Sequence, residues 1–533
     1  MNKKKLLIKN GMVYDGTGSA GRLADILVEG DRIAQVGEHL PCDGDQVIDA
    51  EGYAVTPGFI DIHRHCDIAP FTDPDFGKLE LAQGITSAVA GNCGLSPVPT
   101  SEMSRQKVYD YIEPVVGRIP RSMAFEDYGA YTEALRRQSL PLNMGFLAGA
   151  GAVKSAVKGF SRAPFTGKEM EQAVWFVNEA MEQGAFGMSI GIMYQPECYS
   201  TQEDYIELVK PVAKRDGILC THIRGEGDSL VESVSEVIGI AKASGVRLNI
   251  SHLKATGISN WNDRIWKAID KIEEARAQGV EVTADFYPYT GGATTLLSLL
   301  PPSVLGEDMQ QTVKFMETEA GKRKLKEELR RQHQGWDNMA ASIGWERILI
   351  SSVSRPEHGA YQGRTVKEVS ESLGYDSEED FIAELTVSEE GKVGIIVLSM
   401  SMEDVEQIAK LPYTILISDS LYGGGGNPHP RLYGAFPRFL REMVLEKKIM
   451  PLEQGIRKMT GLPAQRMKMN KKGILAPGCD ADILVFKPEE LRDRSDYSCS
   501  GKLSEGIAWT VLGGEVTTGR NSGQGRVLEF GKC

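Results

Sequence analysis

No stretch of the chain approaches the roughly 18 uninterrupted apolar residues that a membrane-spanning helix needs. The opening MNKKKLLIKNGMVYDG offers only about three apolar residues before Lys9, against about 7–15 in a secretory leader. Positive charge is also scarce: 60 Lys and Arg face 73 Asp and Glu, a formal net charge of −13. That balance excludes a nucleic-acid binder, which must neutralise phosphates. The eight cysteines are scattered, with no C-x-x-C pair, and read as reduced thiols in a long chain without an export signal. These absences predict a cytoplasmic protein with no membrane or nucleic-acid partner. They leave the oligomeric state open.

What is present fits a large globular chain. Its 533 residues are 41% hydrophobic and 25% charged, enough to bury a sizeable core. Residues 1–56 carry short β-type runs separated by the turn segments DGTGSAG, EGD and CDGD, and residues 466–533 look alike. Neither end has enough strands for a stable core, so together they predict one small β-sandwich. The intervening residues 57–465 alternate short apolar strands with amphipathic helices. Asp228–Ser244 places Leu230, Val231, Val234, Val237, Ile238 and Ala241 on one face, and Gly245 ends it. Thr201 and Asp204 form a capping box upstream. Repeated βα units predict a parallel sheet, and about eight of them an α/β fold of the (β/α)8 TIM-like barrel type. Ten strand candidates compete for eight places. The charged stretch Glu307–Trp336 predicts an inserted helical segment at about 300–345.

Histidine is rare, with eight in all, and four fall in a pattern. His63 and His65 in GFIDIHRHCD share one face of an extended segment. His222 ends the run ILCTH, and His252 ends LNISH thirty residues later, one strand–helix–strand crossover on. All four belong at the carboxyl ends of strands, where barrel active sites are built. A single such histidine is more often a hydrogen-bonded core residue; four together point to a transition metal such as zinc. Cys93, in AGNCG, is either a thiolate ligand or a small buried hydrophobe, and position alone leaves both open. Asp419 ends TILISD: a proton carrier if a metal is near, a turn or cap residue otherwise. Arg431, in the loop GGGGNPHPRLYGAFP with His429 and Tyr433, has the planar fork that clamps a carboxylate. Neither GGGG nor GAGAVKSAVKG has the spacing of a nucleotide-binding loop.

These segments resemble the amidohydrolase superfamily, and within it the N-acyl-D-amino-acid deacylases, over nearly the whole chain. The most specific are TPGFIDIHRHCD, QGITSAVAGNCG, THIRGEGDSLVESVSEVI, ISHLKATG, ADFYPYTGG and ISDS with HPRLYGAFPRFL. Most relatives bridge their metals with a carboxylated lysine or a glutamate; the segment AFGMSIGIM has neither, which singles out the cysteine. The resemblance implies one tight zinc held by Cys93, His222 and His252, and a weaker metal position at His63 and His65. It implies Asp419 as general base and acid for a metal-activated water, with Lys254, Tyr287 and Arg431 holding the substrate. The implied reaction hydrolyses an N-acyl-D-amino acid to a carboxylate and a free D-amino acid. One departure stands out, Ala293 in TGGATT where the family has a serine. Two readings on the same scaffold compete: a cyclic amidase of the hydantoinase or dihydroorotase type, and a dipeptidase acting on D- or β-linked residues. A catalytically silent scaffold would have lost ligands.

Overall fold

A computed structural model describes residues 4–41, 45–331, 333, 335–423, 425–517 and 524–533. Most of the expected CDGD turn and Gly424 of GGGG lie outside these residues.

Two parallel sheets carry the centre of the molecule. One has three strands, Phe59–Asp61, Ile85–Ala90 and Asn143–Phe146. The other runs through six: Ala148–Gly149, Gly187–Gly191, Ile218–His222, Arg247–Ile250, Val282–Phe286 and Thr414–Leu416. Asn143–Phe146 and Ala148–Gly149 are one strand broken at Leu147, whose amide donates to Ala90 O at 2.9 Å. At the far edge, Asp419 N donates to His63 O at 3.0 Å and His65 N to Ser420 O at 2.9 Å, so the last strand's exit meets the first's. This is an α/β fold with its apolar strands buried on both faces, as parallel strands require.

The connecting helices follow from local sequence. Thr201 caps Gln202–Leu208 and closes the capping box with Asp204. Leu230–Ser244 buries Leu230, Val234, Val237, Ile238 and Ala241, and Gly245 ends it at φ 74°, a left-handed turn that favours glycine. Each fully buried aliphatic side chain contributes about 1.5–3 kcal/mol, so this face fixes the helix against its neighbouring strands.

Strands from both termini share one further sheet. Ala54–Pro57 pairs with Ile483–Phe486, which pairs with Ile507–Leu512 and, beyond it, Glu515–Thr517. On the other side lie Lys5–Val13, Arg22–Glu29 and Arg32–Gly37. Their inner faces make a separate apolar core that includes Ile8, Ile26, Val55 and Ile483.

The inserted segment expected at about 300–345 is helical and belongs to a larger unit that also has strands on either side of it. Helices Met309–Met316, Glu319–Leu329 and Met339–Ile343 form there and pack on an antiparallel sheet of Gly292–Thr295, Gly394–Val397 and Ile348–Ser352. Two of these strands are the surplus candidates near 348 and 393. Short apolar runs look alike whichever sheet they join, and the pairing direction has no trace in the pattern. The unit has its own apolar core, running from Leu296 to Val397.

Candidate active site

The strand exits deliver the functional side chains to one point. His63 and His65 follow the first strand, Cys93 the second, His222 closes its strand, and His252 and Asp419 lie just past theirs. All six are buried. Cys93 Sγ lies 3.3 Å from His63 Nε2, 3.6 Å from His252 Nε2 and 3.9 Å from His222 Nδ1. His222 Nδ1 and His252 Nε2 are 2.9 Å apart. Asp419 Oδ1 is 3.3 Å from His63 Nε2 and 3.5 Å from His65 Nε2.

Cys93, His252 and Asp419 all have positive φ, at 55°, 36° and 49°. Non-glycine residues there cost about 1–3 kcal/mol each and persist where the surroundings over-determine them. Those surroundings are visible: His252 N donates to Asp285 Oδ1, and Asp419 N to His63 O. Gly94, at φ 71°, lies against the Glu197 carboxyl, where a Cβ would collide.

Cys93 and His222 are already in the forms a cation needs. Burial pushes the Cys93 thiol up, but His63, with His222 and His252, outweighs it and holds the group well below its ordinary value. Burial lowers His222, keeping its imidazole neutral. Burial and Lys254 push His252 down, but Glu226, Asp419 and Cys93 outweigh them and raise it. Cys93 and Asp419 likewise raise His63 and His65 against their burial, so a bound cation would displace protons from these three. Asp419 is likewise held far below the carboxylate range, because Arg431, His63 and His252 overcome its burial. A thiolate and neutral imidazole are the forms that bind zinc.

Three overlapping groups could hold a metal ion: Cys93, His222 and His252; His63, His65 and Cys93; and His63, His252 and Asp419. A tetrahedral zinc with S at about 2.3 Å and N at about 2.0–2.1 Å sets S···N edges of about 3.6 Å and N···N edges of about 3.3 Å. The Cys93, His222 and His252 triangle matches that scale, and its chemistry is that of a zinc site. His65 Nδ1 and His63 Nδ1 are buried without a hydrogen-bond partner.

Three further residues escaped the sequence reading. Glu226, in the loop after His222, accepts from Lys254 Nζ at 2.5 Å and sits 2.9 Å from His252 Nδ1. That contact directs the other ring nitrogen of His252 towards Cys93, the arrangement that orients a ligating histidine. Asp285 sits 3.8 Å from His63 Nδ1 and accepts from Asn249 Nδ2 at 2.6 Å. Arg64 is fully buried and faces away from the histidines beside it. It donates to Ser418 Oγ at 2.9 Å, Tyr422 OH at 2.8 Å and Asp61 Oδ2 at 3.2 Å, tying the first strand's exit to the last. The available signal for Glu226 and Asp285 was a carboxylate within a few positions of a strand end; for Arg64 it was an arginine inside an H-x-H.

Of the three expected substrate contacts, Lys254 and Tyr287 line the cavity that holds Cys93, His222 and His252, and Arg431 lines the adjoining one. Arg431, the first residue of helix Arg431–Arg438, places Nη2 2.9 Å from Asp419 Oδ2 and stacks 4.6 Å from the Tyr287 ring centroid. Its Nε and Nη1, and the Tyr287 hydroxyl, are buried without hydrogen-bond partners. Lys254 is committed to Glu226. Ala293 lines the cavity in the place noted for a serine, and its carbonyl is 3.5 Å from Arg431 Nη2. The remaining wall is mostly apolar: Leu95, Val115, Met193, Met339, Val397 and Leu421.

Fold and site together define a hydrolase-like α/β protein with a histidine and cysteine cluster at its strand ends that could hold a metal ion. The amidohydrolase family model matches residues 46–191 and 403–518. N-acyl-D-glutamate deacylase of Alcaligenes xylosoxydans xylosoxydans is 30% identical over 96% of this chain and 93% of its own. D-aminoacylase of the same organism is also 30% identical, over 97% and 96%. Among solved structures, N-acyl-D-glutamate deacylase from Bordetella bronchiseptica, complexed with zinc and a phosphonate mimic of the tetrahedral intermediate, superposes with a TM-score of 0.82. It is 29% identical and covers 99% of this chain and 100% of that one. The chain belongs to the amidohydrolase family, among its N-acyl-D-amino-acid deacylases.

Proposed function

We propose that this protein hydrolyses the amide bond of N-acyl-D-amino acids, releasing a carboxylic acid and a free D-amino acid. The observation that carries the reading is Cys93 completing a triangle with His222 and His252, with Asp419 beside it and paired to Arg431, whose Nε and Nη1 are buried without partners. Cys93, His222 and His252 would hold zinc; His63 and His65, with Cys93, would form a second, weaker metal position. Zinc bound there supplies Lewis acidity and makes water acidic enough to yield hydroxide near neutral pH.

The chain's own groups do the rest. The substrate carboxylate pairs with Arg431 and Tyr287, and in competing for the guanidinium it releases Asp419 Oδ2 from its ion pair. Asp419 then accepts the proton of the attacking water and returns it to the amide nitrogen, which can leave only as a neutral amine. Lys254, fixed by Glu226, holds the far edge of the substrate. Arg431→Ala should raise KM about tenfold or more with a smaller change in kcat, since a ground-state contact is lost; steady-state kinetics on one D-substrate checks it.

The architecture we infer is a closed (β/α)8 barrel at 57–465, supported by the backbone bonds joining the Asp419 and His63 strands. Residues 1–56 and 466–533 would form a discontinuous β-sandwich. Its support is Lys5–Val13, which bulges between Ile8 and Gly11 and pairs with Gln46–Asp49 on one side of the break and Ala54–Pro57 on the other. Among the described residues no helix is long and apolar enough to cross a membrane, and the seven described cysteines are free, which suits a cytoplasmic enzyme.

The cavity also favours a substrate class. Each cation at the site has an acidic partner, Lys254 with Glu226 and Arg431 with Asp419. Arg431 would take the α-carboxylate from the adjoining space, and Lys254, the one Lys or Arg among the described residues lining this cavity, is already neutralised by Glu226, whereas six apolar residues line its wall. The expected substrates are therefore neutral, apolar D-residues. A panel of N-acetyl-D- and N-acetyl-L-amino acids, assayed for amine release with metal analysis on the same sample, tests both statements. Release from D-leucine or D-methionine derivatives, not from L-forms, is expected. Bound zinc without release from any of them would move the assignment to cyclic amides or D-dipeptides.

A further inference from the structure

The opposite end of the same strands holds a second cavity. The starts of Arg247–Ile250, Val282–Phe286 and Thr414–Leu416 meet helices Leu452–Met459 and Gly461–Met467 around a space of about 570 Å³. Five cations line it (Arg247, Arg276, Arg457, Arg466 and Lys468), and Glu281 is the one carboxylate among its described lining residues. In a chain of net charge −13 such a concentration is not a sampling of the average surface.

The charges inside are poorly balanced. Arg247 and Arg466 are only 6% and 7% exposed. Their hydrogen bonds go to carbonyls: Arg247 Nη1 to Asp216 O at 3.0 Å, and Arg466 Nη2 to Glu281 O at 3.0 Å. A carbonyl satisfies a donor without cancelling its charge. The nearby carboxylates sit at the solvent edge. Glu281, with a side chain 68% exposed, is 3.5 Å from both Arg247 Nε and Arg466 Nη1. The similarly exposed Asp216 is shared between Lys468 and Arg247 Nε, 3.8 Å away, so two solvent-edge carboxylates face five cations. Arg466 Nε is buried with no partner, and Arg457 makes no ion pair among the described residues. Burial pushes the Arg466 guanidinium down to about 9, with Arg247 beside it adding to the effect.

We propose that this cavity is a binding site for a small oxyanion of the phosphate class, supplied either as free phosphate or as a small phosphate monoester. Guanidinium forks match tetrahedral oxyanions through paired N–H···O bonds, and burial strengthens each bond. A flat basic patch would suit a macromolecular partner; a concave space with an unpartnered, buried Nε suits a small ion. The site is separate from the strand exits that carry Cys93 and Asp419, and it does not depend on the deacylase reading.

Calorimetric titration of the metal-loaded enzyme with inorganic phosphate and with glycerol phosphate, at ionic strength held constant with chloride, tests it. A saturable single-site heat is expected. Arg457→Gln, which breaks no ion pair, should weaken it about tenfold, the scale of one charged hydrogen bond, and leave deacylation unchanged. Cys93→Ala should bind phosphate as the native enzyme does, which separates this site from a zinc-bound anion. Tighter binding of the ester would identify a monoester as the occupant, and equal binding the free ion; either supports the site. No saturable heat, or native affinity in both Arg457→Gln and Lys468→Gln, would overturn it.

Discussion

Cys93→Ala is expected to purify without stoichiometric zinc and to show no measurable turnover. The thiolate sits at the apex of the Cys93, His222 and His252 triangle and contacts His63 as well, so it would serve both of the metal positions proposed above. Removing it leaves two neutral imidazoles where there had been an anionic ligand. Even the loss of an outer partner of a ligand costs 10–100-fold in metal affinity, so losing the ligand itself should exceed about 100-fold. The fold should survive, because Cys93 contributes one small side chain to a core spread over the whole central unit. Circular dichroism, zinc analysis and amine release on the same preparation make the test. Full zinc occupancy with native turnover would remove Cys93 from the centre and return it to the role of a buried small residue.

The same residue shows how far the sequence could be read. H-x-H on an extended segment, and two strand-end histidines thirty residues apart, imply a shared face and a shared sheet edge by geometry alone. The structure puts those four side chains together as that reasoning requires. Cys93 and Asp419 were undecidable by position, since both sit in turns where a polar or small residue is ordinary; only the resemblance separated them. What brings them to the histidine cluster is their left-handed backbone, at φ 55° and 49°, and the pairings that hold it, neither of which leaves a mark in composition or periodicity. Glu226 was hidden for another reason. It acts through His252 and Lys254, and a carboxylate in a glycine-rich loop has no pattern until the loop is folded. The helical insertion was legible, but which two strand candidates join it was not, because they pair antiparallel while reading like barrel strands. The unit's contribution to the site, through Ala293, Thr294, Met339 and Val397 in the cavity wall, is a tertiary fact.

Asp419→Asn should retain zinc and lose activity. Asparagine keeps the shape and one acceptor oxygen but has no basic site, so it can neither take a proton from water nor deliver one to the amide nitrogen. Such proton transfer contributes about 10²–10⁴ in rate, and both halves of this reaction depend on one carboxylate, which puts the expected fall in kcat near the top of that range. Zinc should stay because Cys93, His222 and His252 are untouched. KM should not rise: Asp419 Oδ2 holds Arg431 Nη2 at 2.9 Å, and neutralising it leaves the guanidinium freer for the substrate carboxylate. A loss confined to kcat, with metal and KM preserved, is a signature that misfolding or ligand loss would not produce. Turnover within tenfold of native would sink the proton shuttle and leave Asp419 as the counter-ion that places Arg431. In that event the proton must travel by another buried acid within reach of the centre, and Glu226, 2.9 Å from His252 Nδ1, would be the next residue to replace.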